Sequence, residues 1–183
     1  GFAGMESTFA LWAEDAWSWH AREVGLNFMA VGVVSVISQA FLTGRLARRF
    51  GEANVLAFGA CLFGVSLVAQ VVAARLMTGH DWIVPVITAF TAFGMSLTMP
   101  NVSALISRSV DPDRQGQMLG LNMASGSIAR ILGPIVAGAI YSGLGPSWPF
   151  LIGALFAIPA AIMALNAGRA FLRAHASVPA DQT

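Results

Sequence analysis

Two ionisable side chains interrupt apolar stretches of the sequence, and they are the first candidates for chemistry. Arg130 lies near the middle of a long apolar segment, where an arginine costs about 2.5 to 3.5 kcal/mol if the segment crosses a membrane. Glu6 lies about 9 Å from the end of the first apolar run if that run is helical. We hypothesise that the two side chains pair or share a hydrated cavity. The alternative is that Arg130 binds backbone carbonyls while Glu6 reaches the outer interface.

Prolines inside the apolar segments predict helix breaks lined by polar groups. Pro134 lacks an amide proton, so the carbonyl of Arg130 loses its helical donor and the helix is expected to bend there. Pro85 and Pro100 are likewise expected to interrupt their helix. Transporters place substrates at such breaks, although small polar residues also serve helix packing. With Glu6 and Arg130, the candidates for a substrate cavity or for coupling are Asn101, Ser103, Asn122 and Gln39.

The remaining reactive residue types exclude other chemistry. The one cysteine, Cys61, lies in an apolar run and cannot form a disulfide or a metal cluster within this chain. All ten basic residues are arginine, which excludes a P-loop lysine and a Schiff-base lysine. The three histidines lie far apart in the sequence. We therefore expect no catalytic centre, no metal site and no cofactor, and an enzyme is not predicted.

Membrane-spanning helices must position these residues, because the chain is too apolar for a soluble domain. Hydrophobic residues make up 56% of it, charged residues 10%, and the mean hydropathy is +0.70, against roughly 25% charged residues in soluble domains. A helix needs about 20 apolar residues to cross a membrane. We predict an all-α membrane bundle over residues 1–170 and a disordered cytoplasmic tail at 171–183. The predicted spans are a partial one at 1–12, for which a signal peptide is the competing explanation, and complete ones at 24–44, 53–75, 82–107, 115–142 and 148–168.

The arginines predict the orientation of these spans. Arginine occurs in three connecting segments that fall on one side of the bundle. Cytoplasmic loops carry an excess of basic residues, so this side is predicted to be cytoplasmic and the C-terminus with it. A partial span followed by five complete ones makes six, which is half of a twelve-helix transporter built from two related repeats. The arginines concerned are Arg45, Arg48 and Arg49, then Arg108 and Arg114, then Arg169 and Arg173.

A short basic segment joins the first two complete spans. It contains Gly44, Arg48, Arg49 and Gly51, so that glycines bracket the arginines. Arginines at a helix C-terminus meet the negative end of its dipole, and glycines allow a tight turn. The segment resembles the short cytoplasmic loop that joins the second and third helices of each half of major facilitator superfamily transporters. It departs from the family at Arg48, where an acidic or amide residue is usual. A simple membrane anchor and a gating role both remain open.

A second stretch resembles one branch of that superfamily more specifically. It reads Met99-Pro100, Ser107-Arg108, Asp111 and Arg114-Gln115-Gly116-Gln117, and it leads through Gly120 to Gly133-Pro134. Its order and spacing are similar to the tenth helix, the cytoplasmic loop and the eleventh helix of the tetracycline/proton antiporter-like drug efflux branch. The likeness covers essentially the whole chain.

The resemblance implies a C-terminal half made of a partial seventh helix and helices eight to twelve. It further implies proton-coupled efflux of a small organic compound by alternating access, with the missing N-terminal half, the lipid bilayer and the substrate as partners. Tetracycline itself is not implied, because Phe63 stands where the antiporters carry an acidic residue in the ninth helix. A bacterial inner membrane is the expected location, and no nucleic acid is expected to bind. The alternatives are a non-transporting scaffold or assembly subunit and a membrane-embedded enzyme.

Overall fold

The computed structural model describes the backbone of residues 2–77 and 79–176, and the side chains of 8–77, 79–107 and 110–168. Every regular element in this part of the chain is helical, which confirms the predicted all-α class. The elements are α1 (Phe2–Trp17), α2 (Ala21–Ile37), a π-helical turn (Ser38–Thr43), α3 (Gly44–Phe50), α4 (Glu52–Leu76), α5 (Ile83–Ser109), α6 (Pro112–Leu144) and α7 (Trp148–Ala176).

Five helices of the described chain are long and apolar enough to cross a membrane. Each exceeds the roughly 20 residues that a hydrocarbon core requires. The first of them is a continuous helix made of α2, the π-helical turn and α3. The protein is therefore an integral, multi-pass membrane protein. The five spans are Ala21–Phe50, Glu52–Leu76, Ile83–Ser107, Pro112–Leu144 and Trp148–Gly168.

The centre of the bundle is α4, which packs along α5 on one side and α7 on the other. At the predicted outer end an aromatic cluster closes the core, with the ring centroid of Trp12 5.7 Å from that of Phe9 and 5.0 Å from that of Phe150. All three side chains are at most 1% exposed. In contrast, α2 and α6 are the least buried of the five spans. The packing is thus concentrated on α4, and two helices keep open faces.

Glycines let α4 approach its neighbours at backbone distance. A β-carbon on Gly59 would lie 2.8 Å from the carbonyl oxygen of Gly94 on α5. A β-carbon on Gly94 would lie 2.8 Å from both the Gly59 oxygen and the Phe63 nitrogen. On the α7 side, a β-carbon on Gly64 would lie 2.7 Å from that of Ala157. Small residues of this kind replace bulky side chains wherever membrane helices touch closely.

The basic segment predicted as a loop is mostly helical. Gly44 has an ordinary helical φ of −68°, and the helix continues through the arginines to Phe50. The reason is that the π-helical turn absorbs one extra residue without a break: the Thr43 hydroxyl donates to the Ser38 carbonyl at 3.0 Å. The chain reverses at Gly51 alone, whose φ of 83° and ψ of 146° lie in a region that only glycine adopts readily.

Pro85 and Pro100 do not interrupt their helix, contrary to the prediction, whereas the bend predicted at Pro134 stays a prediction. Pro100 and Pro134 both lie inside continuous helices, and Pro85 lies in the first turn of α5, where its missing N–H has no helical partner to lose. An interior proline removes one hydrogen bond. For Pro100 the freed carbonyl is that of Ser96, and the Thr43 hydroxyl lies 3.5 Å from it.

The C-terminal helix also extends further than predicted. The tail was expected to begin at residue 171, but α7 continues to Ala176. Residues 177–183, the rest of the predicted tail, lie outside the described residues.

Candidate functional site

Arg130 lies on the open side of α6. Its side chain is exposed, and no hydrogen bond or ion pair joins it to another of the described side chains. The guanidinium turns back along the helix: its Nη2 atom would lie 3.8 Å from a β-carbon placed on Gly126. Gly126 therefore leaves room for the arginine to lie along its own helix. No carboxylate or other acceptor among the described side chains pairs with this guanidinium. Its charge therefore remains available to a group from elsewhere.

A hydrogen bond fixes how α6 is placed against α1. The phenol of Tyr141, near the end of α6, donates to the carboxylate of Asp15, near the end of α1. α1 precedes the five spans, and successive helices alternate in direction, so α1 and α6, which forms the fourth span, run parallel. Nine residues before Asp15 is Glu6, and nine residues before Tyr141 is Leu132. At 1.5 Å rise per residue, the backbone of Glu6 lies within about 3 Å of the depth of Arg130.

The similar depth of the two backbones is therefore compatible with the predicted pairing of Glu6 and Arg130. The side chain of Glu6 itself lies outside the described residues, so the structure does not test the contact.

The other candidates for the cavity are distributed over three elements. Asn122 is half-buried on α6, two turns before Arg130 and on the same side of the helix. Asn101 on α5 is only 2% exposed, and its amide donates to the carbonyl of its own helix at Leu97, at 2.6 Å. Ser103 on α5 is half-buried, and Gln39 is exposed in the π-helical turn. No hydrogen bond joins any two of these candidates among the described side chains.

Sequence reasoning missed two buried polar pairs in the half of the bundle that is predicted to face outward. The Thr88 hydroxyl on α5 lies 2.7 Å from the Asn27 amide oxygen on α2. One turn further along α5, the Gln70 amide nitrogen of α4 donates to the Thr91 hydroxyl at 3.0 Å. All four side chains are at most 5% exposed. The available signal was the presence of two amides within predicted spans, because polar groups at that depth need partners.

An open groove runs along the first three turns of α6. Its volume is about 470 Å³, and apolar and small residues form most of it. The same helix exposes Arg130, whose charge makes a lipid-facing position costly. This face is suited to another protein surface or to a hydrated cavity. The groove is lined by Val110, Arg114, Gln117, Met118, Gly120, Leu121 and Ala124.

The basic segment on α3 makes local contacts. Arg45 donates to the carbonyl of Phe41 one turn earlier at 2.6 Å, which satisfies a carbonyl beside the π-helical turn. Arg49 lies 5.5 Å from the ring centroid of its neighbour Phe50. Arg48 is exposed. These positions suit a helix end at a membrane surface, since basic side chains there meet the negative end of the helix dipole.

Spanning helices with an arginine and paired amides within them define this chain as an integral, multi-pass membrane protein. The chain belongs to the Major Facilitator Superfamily, whose family model matches residues 2–180. This agrees with the resemblance drawn from its motifs.

Known relatives place the chain near drug efflux proteins. It is 34% identical over 142 residues to the class C tetracycline resistance protein of Escherichia coli, covering 76% of this chain and 34% of the relative. It is 33% identical to the class G tetracycline resistance protein of Vibrio anguillarum, covering 80% and 37%. It is 28% identical to multidrug resistance protein 1 of Bacillus subtilis (strain 168), covering 82% and 37%.

The chain spans little more than a third of the length of these relatives. No solved structure shows significant similarity to it.

Proposed function

We propose that this chain is the C-terminal half of a secondary transporter that exports a small organic compound by alternating access, driven by proton antiport. The observation that carries the proposal is Arg130, a charge at membrane depth on an open helix face, without a partner among the described residues. A charge at membrane depth is costly unless it serves a hydrated pathway or a partner.

The partner in this proposal is an N-terminal six-helix half of the same polypeptide. It would cover the two least buried spans, α2 and α6, whose exposed faces include Met29, Val36 and Ile131. Apolar residues could face lipid as well, and the exposed serines of α6 donate to carbonyls of their own helix, but the arginine of α6 could not face lipid cheaply. The central cavity would then lie between this face and the missing half, with Asn122 and Arg130 lining it. Relatives named for tetracycline and multidrug resistance support a small organic substrate.

Transport by an Arg130→Ala variant tests the proposal. Cells that express the full-length polypeptide should accumulate less of an exported dye than cells without it, and an uncoupler should remove the difference. We expect Arg130→Ala to abolish export at unchanged surface abundance, while Arg130→Lys retains part of it. The matched control is Arg75→Ala, because Arg75 is exposed in the last turn of α4. Wild-type export by Arg130→Ala would contradict the role, and export unaffected by the uncoupler would contradict proton coupling.

The pairing of Glu6 with Arg130 remains part of the proposal. The shared depth of the two backbones on parallel helices supports it. If the pair forms, exchanging the charges in a Glu6→Arg/Arg130→Glu variant should restore more export than either single substitution leaves. If the double variant lost as much export as each single variant, the pairing of Glu6 with Arg130 would be contradicted.

The proposed location is a bacterial inner membrane with the C-terminus in the cytoplasm. The basic segment of Gly44, Arg48, Arg49 and Gly51 would then act as a cytoplasmic anchor or gate. Cysteines introduced as Arg45→Cys and Arg114→Cys, in a Cys61→Ala background because Cys61 is exposed, should both react with an impermeant thiol reagent from the cytoplasmic side. Labelling of the two from opposite sides would overturn the topology and the carrier assignment.

A further inference from the structure

Two amide side chains are buried at the same depth in the outer half of the bundle. Asn27 is 2% exposed and Gln70 is 1% exposed. Asn27 lies six residues after the start of α2 at Ala21, and Gln70 lies six residues before the end of α4 at Leu76. Both are therefore about 9 Å inside the outer helix ends. Between them, α5 presents two hydroxyls three residues apart, on the same side of the helix.

The described neighbours of the Asn27 amide do not satisfy both of its polar atoms. The Thr88 hydroxyl has one proton and three acceptors in reach: the Asn27 oxygen at 2.7 Å, the Val84 carbonyl at 2.9 Å and the Pro85 carbonyl at 3.1 Å. The Asn27 amide nitrogen has no partner among the described residues. Rotating the amide would let the nitrogen donate to Thr88, but the oxygen would then lack a donor. In either orientation, one polar atom of Asn27 is left over.

The Gln70 amide likewise has one polar atom without a hydrogen-bond partner among the described residues. Its nitrogen donates to the Thr91 hydroxyl at 3.0 Å, and Thr91 in turn donates to the Ile87 carbonyl at 3.0 Å. The Gln70 oxygen has no partner within the described part of the chain. Rotating this amide exchanges the two atoms and leaves the nitrogen without an acceptor. A dry interior would therefore hold two unpaired amide atoms, on side chains whose hydroxyl partners lie one helical turn apart on α5, although the large majority of buried polar groups are paired.

A third unpaired group lies in the same part of the core. The indole nitrogen of Trp17, at the outer end of α1, is buried and has no partner in the part of the chain that the structure describes. Trp17 belongs to the core cluster that contains Val71 and Val84. Val71 follows Gln70 directly in α4, and Val84 lies one turn before Thr88 in α5. The three unpaired atoms thus belong to residues within about six positions of the helix ends on one side of the bundle.

We propose that this region is an internal hydration site, in which ordered water binds the free amide atoms of Asn27 and Gln70. Water both donates and accepts, so it satisfies each amide in either orientation, which no purely donating or purely accepting ligand could do. The site lies among α2, α4 and α5 and carries no ionisable side chain among its four members. It is separate from Arg130 and does not depend on transport.

A density map of the full-length protein at about 2 Å resolution tests the site directly. A water peak is expected within hydrogen-bonding distance, about 3.2 Å, of at least one of the two amides. Protein partners for both free atoms, or empty density beside both, would overturn the proposal.

Radiolytic hydroxyl labelling provides a second test in the native membrane protein. Radicals formed from bound water label buried side chains beside it, so Val84, which is 1% exposed, should be labelled several-fold more than the 0% exposed Leu97 after correction for intrinsic reactivity. An Asn27→Leu/Gln70→Leu double variant should reduce the Val84 signal to that of Leu97. Equal labelling of Val84 and Leu97 in the wild type would contradict the site.

Discussion

Replacing Gly94 by alanine should separate the two most closely packed helices of the bundle. The added β-carbon would lie 2.8 Å from the Gly59 carbonyl oxygen and 2.8 Å from the Phe63 nitrogen. Both are backbone atoms of α4, so neither can move aside as a side chain would. Normal contact distances for a carbon atom are about 3.5 Å. The α4 and α5 backbones must therefore part by roughly 0.5 to 1 Å, or the β-carbon remains in strain.

The size of the effect follows from two opposing terms. Overpacking of a well-packed interior costs about 1 to 3 kcal/mol. Alanine in place of glycine inside a helix stabilises the folded state by about 0.5 to 1 kcal/mol. The net destabilisation by Gly94→Ala is then about 0 to 2.5 kcal/mol. At roughly 2 to 4 °C per kcal/mol for 150 to 250 residues, this lowers the melting temperature by up to about 10 °C, and the shift is smaller in a longer polypeptide.

The assay is thermal unfolding of the full-length protein in detergent, followed by tryptophan fluorescence. Trp12 and Trp19 are buried and should report loss of packing. The matched control is Gly143→Ala in α6, because a β-carbon there has no atom within 4 Å, and we expect its melting temperature to be unchanged or slightly raised. If Gly94→Ala melted with or above the Gly143→Ala control, the close α4–α5 contact would be refuted.

Two further predictions concern single turns of the structure. Gly51→Ala should lower the melting temperature by several degrees, because a non-glycine residue at its φ and ψ costs about 1 to 3 kcal/mol. The control Gly44→Ala, at a helical position with open space around it, should leave the melting temperature unchanged. Equal effects of the two substitutions would contradict the assigned turn. Tyr141→Phe should cost about 1 kcal/mol by removing the hydrogen bond to Asp15, and an unchanged melting temperature would show that this contact does not hold α1 against α6.

The sequence predicted the helical class and the family well, because both depend on properties that act over many residues. Uncharged runs of about 20 residues predict spanning helices wherever they occur. The motif stretch from Met99 to Pro134 indicated the drug efflux branch, and the relatives confirm it. The departure at Phe63 remains a reason not to assign tetracycline as the substrate.

Helix ends and interruptions were predicted less well, because they depend on local hydrogen bonds. Glycine and proline are statistical breakers, but Gly44 sits within a helix and Pro100 within another. The carbonyl freed by Pro100 lies near the Thr43 hydroxyl of a neighbouring helix, a tertiary contact that one sequence cannot specify. The polar pairs of Asn27 and Gln70 were missed for the same reason, since their partners are 61 and 21 residues away.

Packing and charge are divided between different helices of this bundle. The glycine contacts join α4 to α5 and α7 at backbone distance, which leaves those helices little freedom to change their spacing without losing van der Waals contact. Arg130 lies instead on α6, the least buried span, where its charge costs most if the open face meets lipid and least if that face borders water or another protein surface. A bundle organised only for stability would bury or omit this arginine. Its retention on the open face is therefore better explained by a requirement for charge at that surface, and the transport assay with Arg130→Ala measures that requirement directly.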